Sequence, residues 1–134
     1  MPGGNILVVE DDLTFRKWLR DTLLREIPGL VVREAADGEQ ALKEVKGFNP
    51  CIVIMDIGLP GRNGIEITKA IKSLCPPAKF IFLTNYDDPE YRQAAEKLGV
   101  DYFLSKRRTR TAEIINCLTS ILNNETTGQH KQLL

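Results

Sequence analysis

One histidine, one tryptophan and three cysteines are all that this 134-residue sequence holds of those residue types, and neither sign of charge is in excess. The lone His130 stands in a polar C-terminal stretch. That argues against a histidine-based triad or a His-ligated metal. Cys51, Cys75 and Cys117 are far apart in sequence and form no C-x-x-C pair. They are expected to be reduced thiols of a cytoplasmic protein. Lys plus Arg total 18 and Asp plus Glu total 18, so the basic footprint of a nucleic-acid binder is missing. Direct DNA contact by these residues is therefore not expected. No apolar run reaches the roughly 20 residues of a membrane span. The opening "MPGGN" lacks the basic-then-apolar order of a signal peptide.

What is present is rhythm. Short apolar runs at residues 5–9, 30–35, 51–56, 79–84 and 100–105 alternate with stretches of helical period. Phe15, Leu19 and Leu23 are four apart, and Pro28-Gly29 ends that helix. A second helix starts at Asp37-Gly38 and is expected to close at Gly47; a third covers 64–74 and stops before Pro76-Pro77. A fourth has Asp88 as N-cap, Pro89 at its first position and Gly99 at its end; a fifth covers 109–124. Strands alternating with helices predict a parallel sheet covered on both faces. Strands apolar throughout, rather than alternating, agree with burial on both sides. The fold class predicted is α/β, a doubly wound (βα)5 sheet. Residues 1–124 form the domain and 125–134 a polar tail or the start of a linker.

In such a sheet every strand ends at the same edge, where ligands bind. The first strand ends in Glu10, Asp11 and Asp12, the third in Asp56, the fourth in Thr84, and the fifth in Ser105 and Lys106. Clustered carboxylates repel one another and call for a cation. Oxygen donors without His or Cys suit a hard ion such as Mg2+. An aspartate beside such an ion can accept a phosphoryl group, because that chemistry is mostly positioning and charge neutralisation.

"ILVVEDD", "IVIMDIGLPGRNGIEI", "IFLTN" and "VDYFLSK" together resemble the receiver domains of two-component response regulators, over residues 5–123. The last of these and the missing proline after Lys106 lean toward the receivers joined to helix-turn-helix output domains. The resemblance implies the flavodoxin-like strand order 2-1-3-4-5. It makes Asp56 the phosphoacceptor, served by a sensor histidine kinase. Mg2+ falls to Glu10, Asp11, Asp56 and the backbone carbonyl of Gly58. Lys106 and Thr84 stabilise the phosphoryl group. Thr84 and Phe103 form the switch that reshapes the surface of the fourth helix, fifth strand and fifth helix. The outputs that follow are transcription control, a phosphorylation-dependent homodimer and a helix-turn-helix domain beyond this chain.

Three positions depart from the family pattern. Asn85 stands where a small residue is usual after the switch threonine. Arg107 follows Lys106 where many receivers have proline. Glu10, not Asp, opens the acidic pair, though both occur in the family. Two further positions bear on the lifetime of the phosphoryl group: Gly58 offers no side chain to orient a water, and Tyr86 is placed to cover the site. Gly58, Asn85 and Tyr86 are thus the residues expected to tune access and dephosphorylation, with slow loss of the phosphoryl group. Two other readings compete. One is an aspartate-nucleophile phosphatase, which needs an acid where Gly58 stands. The other is a receiver-like module that binds without phosphorylation.

Overall fold

The structure is a computed structural model and describes residues 4–126. Five strands alternate with five helices among them: β1 Gly4–Val9, α1 Leu13–Glu26, β2 Leu30–Ala35, α2 Gly38–Phe48, β3 Ile52–Met55, α3 Gly64–Leu74, β4 Lys79–Thr84, α4 Pro89–Leu98, β5 Tyr102–Ser105 and α5 Thr111–Thr126. All pairings are parallel and the order is β2-β1-β3-β4-β5. The doubly wound (βα)5 architecture predicted from the sequence is the one observed.

The three inner strands carry the core. Ile6 to Val9, Ile52 to Met55 and Phe80 to Leu83 are at most 2% exposed, with residues of alternating parity feeding opposite faces. One face packs Val53, Met55, Phe80 and Phe82 against α2 and α3 side chains such as Val45, Ile67 and Ile71. The other packs Ile6, Val8, Ile54 and Ile81 with Leu19 and Leu23 of α1 and Leu118 of α5. The expectation of strands buried throughout fails at β2, where Val31 is 52% exposed and the burial alternates. An edge strand has a neighbour on one side only, and α1 and α2 leave part of its surface open to water.

Side-chain caps start the first three helices. Asp12 accepts from Phe15 N (3.2 Å), Asp37 from Gln40 N (2.9 Å) and Asn63 from Glu66 N (3.0 Å). Each such cap contributes about 1 kcal/mol. Asp88 occupies the cap position of α4, but its side chain makes no cap bond, and Pro89 sets the helix start instead. Gly47 does not close α2. The helix continues through Phe48, and Asn49 ends it in the left-handed region at φ 53°. Gly99 ends α4 as expected, at φ 75°. Helix α5 begins at Thr111 rather than 109, because residues after Lys106 form a turn closed by Thr109 N on Ser105 O (3.0 Å). The predicted tail lies, from residue 127, outside the described residues. Among the described residues no helix is long and apolar enough to cross a membrane.

Candidate functional site

The register of the sheet builds the site. Val9 pairs with Met55, Met55 with Phe82, Phe82 with Phe103, and Thr84 with Ser105. The next residues along, Glu10, Asp56 and Lys106, therefore leave the sheet side by side. Backbone bonds extend the ladder to hold them: Asp56 N to Val9 O (3.0 Å), Glu10 N to Ala35 O (2.9 Å) and Lys106 N to Thr84 O (3.0 Å).

Asp56, 7% exposed, is satisfied on both oxygens. Its Oδ1 accepts from the Thr84 hydroxyl at 2.7 Å and from Gly58 N at 3.0 Å; its Oδ2 accepts from Lys106 Nζ at 2.9 Å. Glu10 is equally buried; one oxygen pairs with Lys106 and the other accepts from Asp12 N at 3.0 Å. Lys106 thus bridges two carboxylates. Asp11 is exposed and accepts no hydrogen bond or ion pair from the described residues. Oxygens of Glu10, Asp11 and Asp56 all lie within 4.8 Å of one another.

The electrostatics follow from this crowding. Burial pushes the Glu10 carboxyl up to about 7; hydrogen bonds from Lys106 and Asp12 N pull against it, and the Asp56 charge adds to the rise. Burial alone would lower the Lys106 ammonium, but its hydrogen bonds to Glu10 and Asp56 outweigh that and raise it above the ordinary lysine value. Three carboxylates face a single ammonium, so the charge is left short of balance. The all-oxygen donor set, with Asp11 unengaged at the mouth, fits a hard divalent cation. Glu10, Asp11 and Asp56 are the carboxylates grouped closely enough to hold such an ion.

Around this centre the β4–α4 loop closes in. Tyr86 N donates to Thr84 Oγ1 (3.1 Å), and the edge of the Tyr86 ring lies so close to Gly58 that a Cβ there would overlap Tyr86 Cε2. The ring also meets Tyr91 of α4 edge-on at 5.9 Å. Asn85 points to solvent. Phe103 is half-buried, edge-on to Phe82 at 6.1 Å, with the Arg92 guanidinium 4.6 Å from its ring centre.

The sequence profile of the response regulator receiver domain matches residues 6–118. The chain belongs to the response regulator receiver family. The transcriptional regulatory protein DegU of Brevibacillus brevis is 32% identical over 109 residues, which is 81% of this chain and 46% of DegU. The receiver spans about half the length of the first curated relatives it matches. A LuxR-family two-component response regulator from Aurantimonas superposes with a TM-score of 0.82 at 29% identity, covering 91% of this chain and 86% of the other. A response regulator from Burkholderia pseudomallei, crystallised with a phosphorylated aspartic acid, a calcium ion and citrate, gives 0.78 at 26% identity, covering 96% and 72%. Receivers of this family bind Mg2+ at an acidic pocket, and the acidic cluster of this one is Glu10, Asp11 and Asp56.

Of the seven polar residues predicted at the strand ends, Glu10, Asp11, Asp56, Thr84 and Lys106 meet in this receiver, while Asp12 caps α1. Two neighbours escaped the sequence reading. In sequence Phe15 is only part of a helical stripe, yet its ring centre lies 4.6 Å from the Lys106 ammonium. The signal for it is its place three residues after the cap Asp12, in the turn of α1 that rises directly from the strand end. Arg92, the fourth residue of α4, bears no sequence mark of stacking on a strand aromatic.

Proposed function

We propose that this receiver takes a phosphoryl group on Asp56 from the phosphohistidine of a sensor histidine kinase, with Mg2+ bound. The observation that carries the reading is the three-way grip on the Asp56 carboxylate by Thr84, Gly58 N and Lys106, with Glu10 and Asp11 adjacent. A carboxylate oxygen attacks phosphorus, the P–N bond to the imidazole breaks, and a P–O bond to Asp56 forms. Mg2+, when bound, offsets the negative charge gathered on the phosphoryl oxygens. Lys106 lies at Oδ2 and can follow the new oxygens; Thr84, at Oδ1, can turn its hydroxyl to another of them.

The response runs outward from there. The Thr84 hydroxyl already lies on the bare carboxylate, so phosphorylation asks it to exchange one acceptor for another within the same pocket. Phe103 is the second switch element. Arg92 covers its ring, so a ring that turns inward breaks a contact with α4 and changes the α4–β5–α5 surface. That surface is proposed to control transcription through a helix-turn-helix output domain outside this chain, or through a phosphorylation-dependent homodimer. The domain itself makes no released product and no direct nucleic-acid contact, and its place is the cytoplasm. The phosphatase reading is disfavoured because Gly58 stands where that chemistry needs an acid, and the Tyr86 ring occupies the space above it.

The test is intact mass after incubation with acetyl phosphate. One phosphoryl adduct is expected with Mg2+ present and none with EDTA. A chain that never gains mass, while still folded, would favour a module that signals by binding alone.

The cover over Gly58 bears on lifetime. With no side chain at 58 to aim a water, and the Tyr86 ring against Gly58, hydrolysis of the phosphoryl-aspartate is expected to take many minutes rather than seconds. Tyr86→Ala opens the site and is expected to speed loss of the adduct several-fold, followed by mass spectrometry after removal of the phosphodonor. An unchanged decay would assign the ring a packing role only. Asn85, exposed at the rim, is proposed to restrict which donors enter.

A further inference from the structure

We infer that Phe15 is a positioning residue for Lys106, holding the ammonium on the phosphoacceptor without competing for it. This rests on the reading of Asp56 as phosphoacceptor and goes beyond it, since that reading gives Phe15 no part. The Lys106 Nζ has three donors. Glu10 and Asp56 take two of its directions, and the third faces the Phe15 ring, 4.6 Å from its centre. A cation is held by the negative face of an aromatic ring. The ring accepts no directed hydrogen bond comparable to a carboxylate's, so it gives up the ammonium readily as oxygens arrive. Water in the same place would hydrate the charge and weaken its pull on the phosphoryl group. The Lys106 side chain is only 14% exposed, so this dry side matters.

Phe15 is itself held in place. Its N–H is capped by Asp12, and its neighbour Arg16 ties α1 to the strand end by donating to Glu10 O at 2.8 Å. Its ring packs on Trp18 at 5.4 Å and on the core cluster beneath α1. The path from cap to ring to ammonium has little freedom in it.

The experiment compares the unaltered chain with Phe15→Leu and Phe15→Tyr. Each is treated with acetyl phosphate and Mg2+, and the initial rate of adduct formation is read by intact mass. Leu keeps the apolar bulk and helix propensity but removes the ring face; Tyr keeps the face. Phe15→Leu is expected to slow phosphorylation about three- to ten-fold, Phe15→Tyr to restore most of the rate, and both to melt close to the unaltered chain. Mg2+ affinity, by calorimetry, is expected to stay within about two-fold, because the ring supplies no oxygen donor to the ion; a loosened pocket would weaken Mg2+ binding and rate together. A Leu variant at the unaltered rate, Leu and Tyr slowed alike, or Mg2+ affinity falling in step with rate would each overturn the role of Phe15. An unaltered chain that gains no phosphoryl group would instead overturn the reading of Asp56 on which it rests.

Discussion

Asp56→Asn is expected to gain no phosphoryl group from acetyl phosphate and Mg2+, under conditions where the unaltered chain gains one. The amide oxygen of asparagine is a poor nucleophile, and loss of a nucleophile that works as a unit with its neighbours costs about a thousand-fold or more. The substitution is close to isosteric, so most of the local structure survives. The amide oxygen can still accept from Thr84 and from Gly58 N, the two groups now on Oδ1. The amide nitrogen, placed where Oδ2 was, faces the Lys106 ammonium as donor against donor. Against that loss stands a gain. Glu10 loses one of the charges beside it, and the Asp56 repulsion that helps raise its pKa is gone. The two effects oppose, and the melting temperature is expected to move by only a few degrees. Mg2+ binding is expected to weaken, with one of three carboxylates neutralised. An adduct that persists in Asp56→Asn would mean that another side chain is the acceptor and that Asp56 is an anchor for its turn.

Most of the architecture was legible because burial leaves its mark on sequence. Strands β1, β3 and β4 are inner strands, and their unbroken apolar runs say so. The site was legible for a related reason: in a parallel sheet, a polar residue at the end of each apolar run must fall on one edge. Glu10, Asp56, Thr84 and Lys106 are found there, in hydrogen-bonding or ion-pair contact. What escaped were features set by tertiary neighbours. Gly47 looked like a helix end, but it stands open to solvent with nothing near it, and Asn49 takes the left-handed residue instead. Asp88 has the right type for a cap, and the backbone turns so that only its carbonyl is used, by Tyr91 N and Arg92 N. Phe15 over Lys106 and Arg92 over Phe103 join residues from distant segments, and only the fold brings them together.

The second large effect is expected at a residue that does no chemistry. Gly64 opens α3 and is buried, and its N–H donates to Ile57 O at 2.8 Å, folding the loop after Asp56 back on itself. A Cβ at this position would sit 2.7 Å from Ile57 Cα and 2.8 Å from Asp56 O. Both are backbone atoms, so no side chain can rotate away, and either α3 withdraws or the loop that carries Asp56 moves. Gly64→Ala is expected to cost about 3 kcal/mol, which lowers the melting temperature of a domain this size by roughly 10 °C. It is also expected to slow phosphorylation more than ten-fold at temperatures where the variant is still folded. The carboxylate is held by groups from three different segments, and a shift of about 1 Å in one of them is enough for such a loss. Gly47→Ala provides the contrast. That glycine is exposed inside α2 with no atom within 4 Å of a new Cβ, so alanine there is expected to add about 0.5–1 kcal/mol and leave the rate unchanged. Should Gly64→Ala melt like the unaltered chain and react at its rate, the close approach of α3 to the Asp56 loop would not be what holds the carboxylate in place.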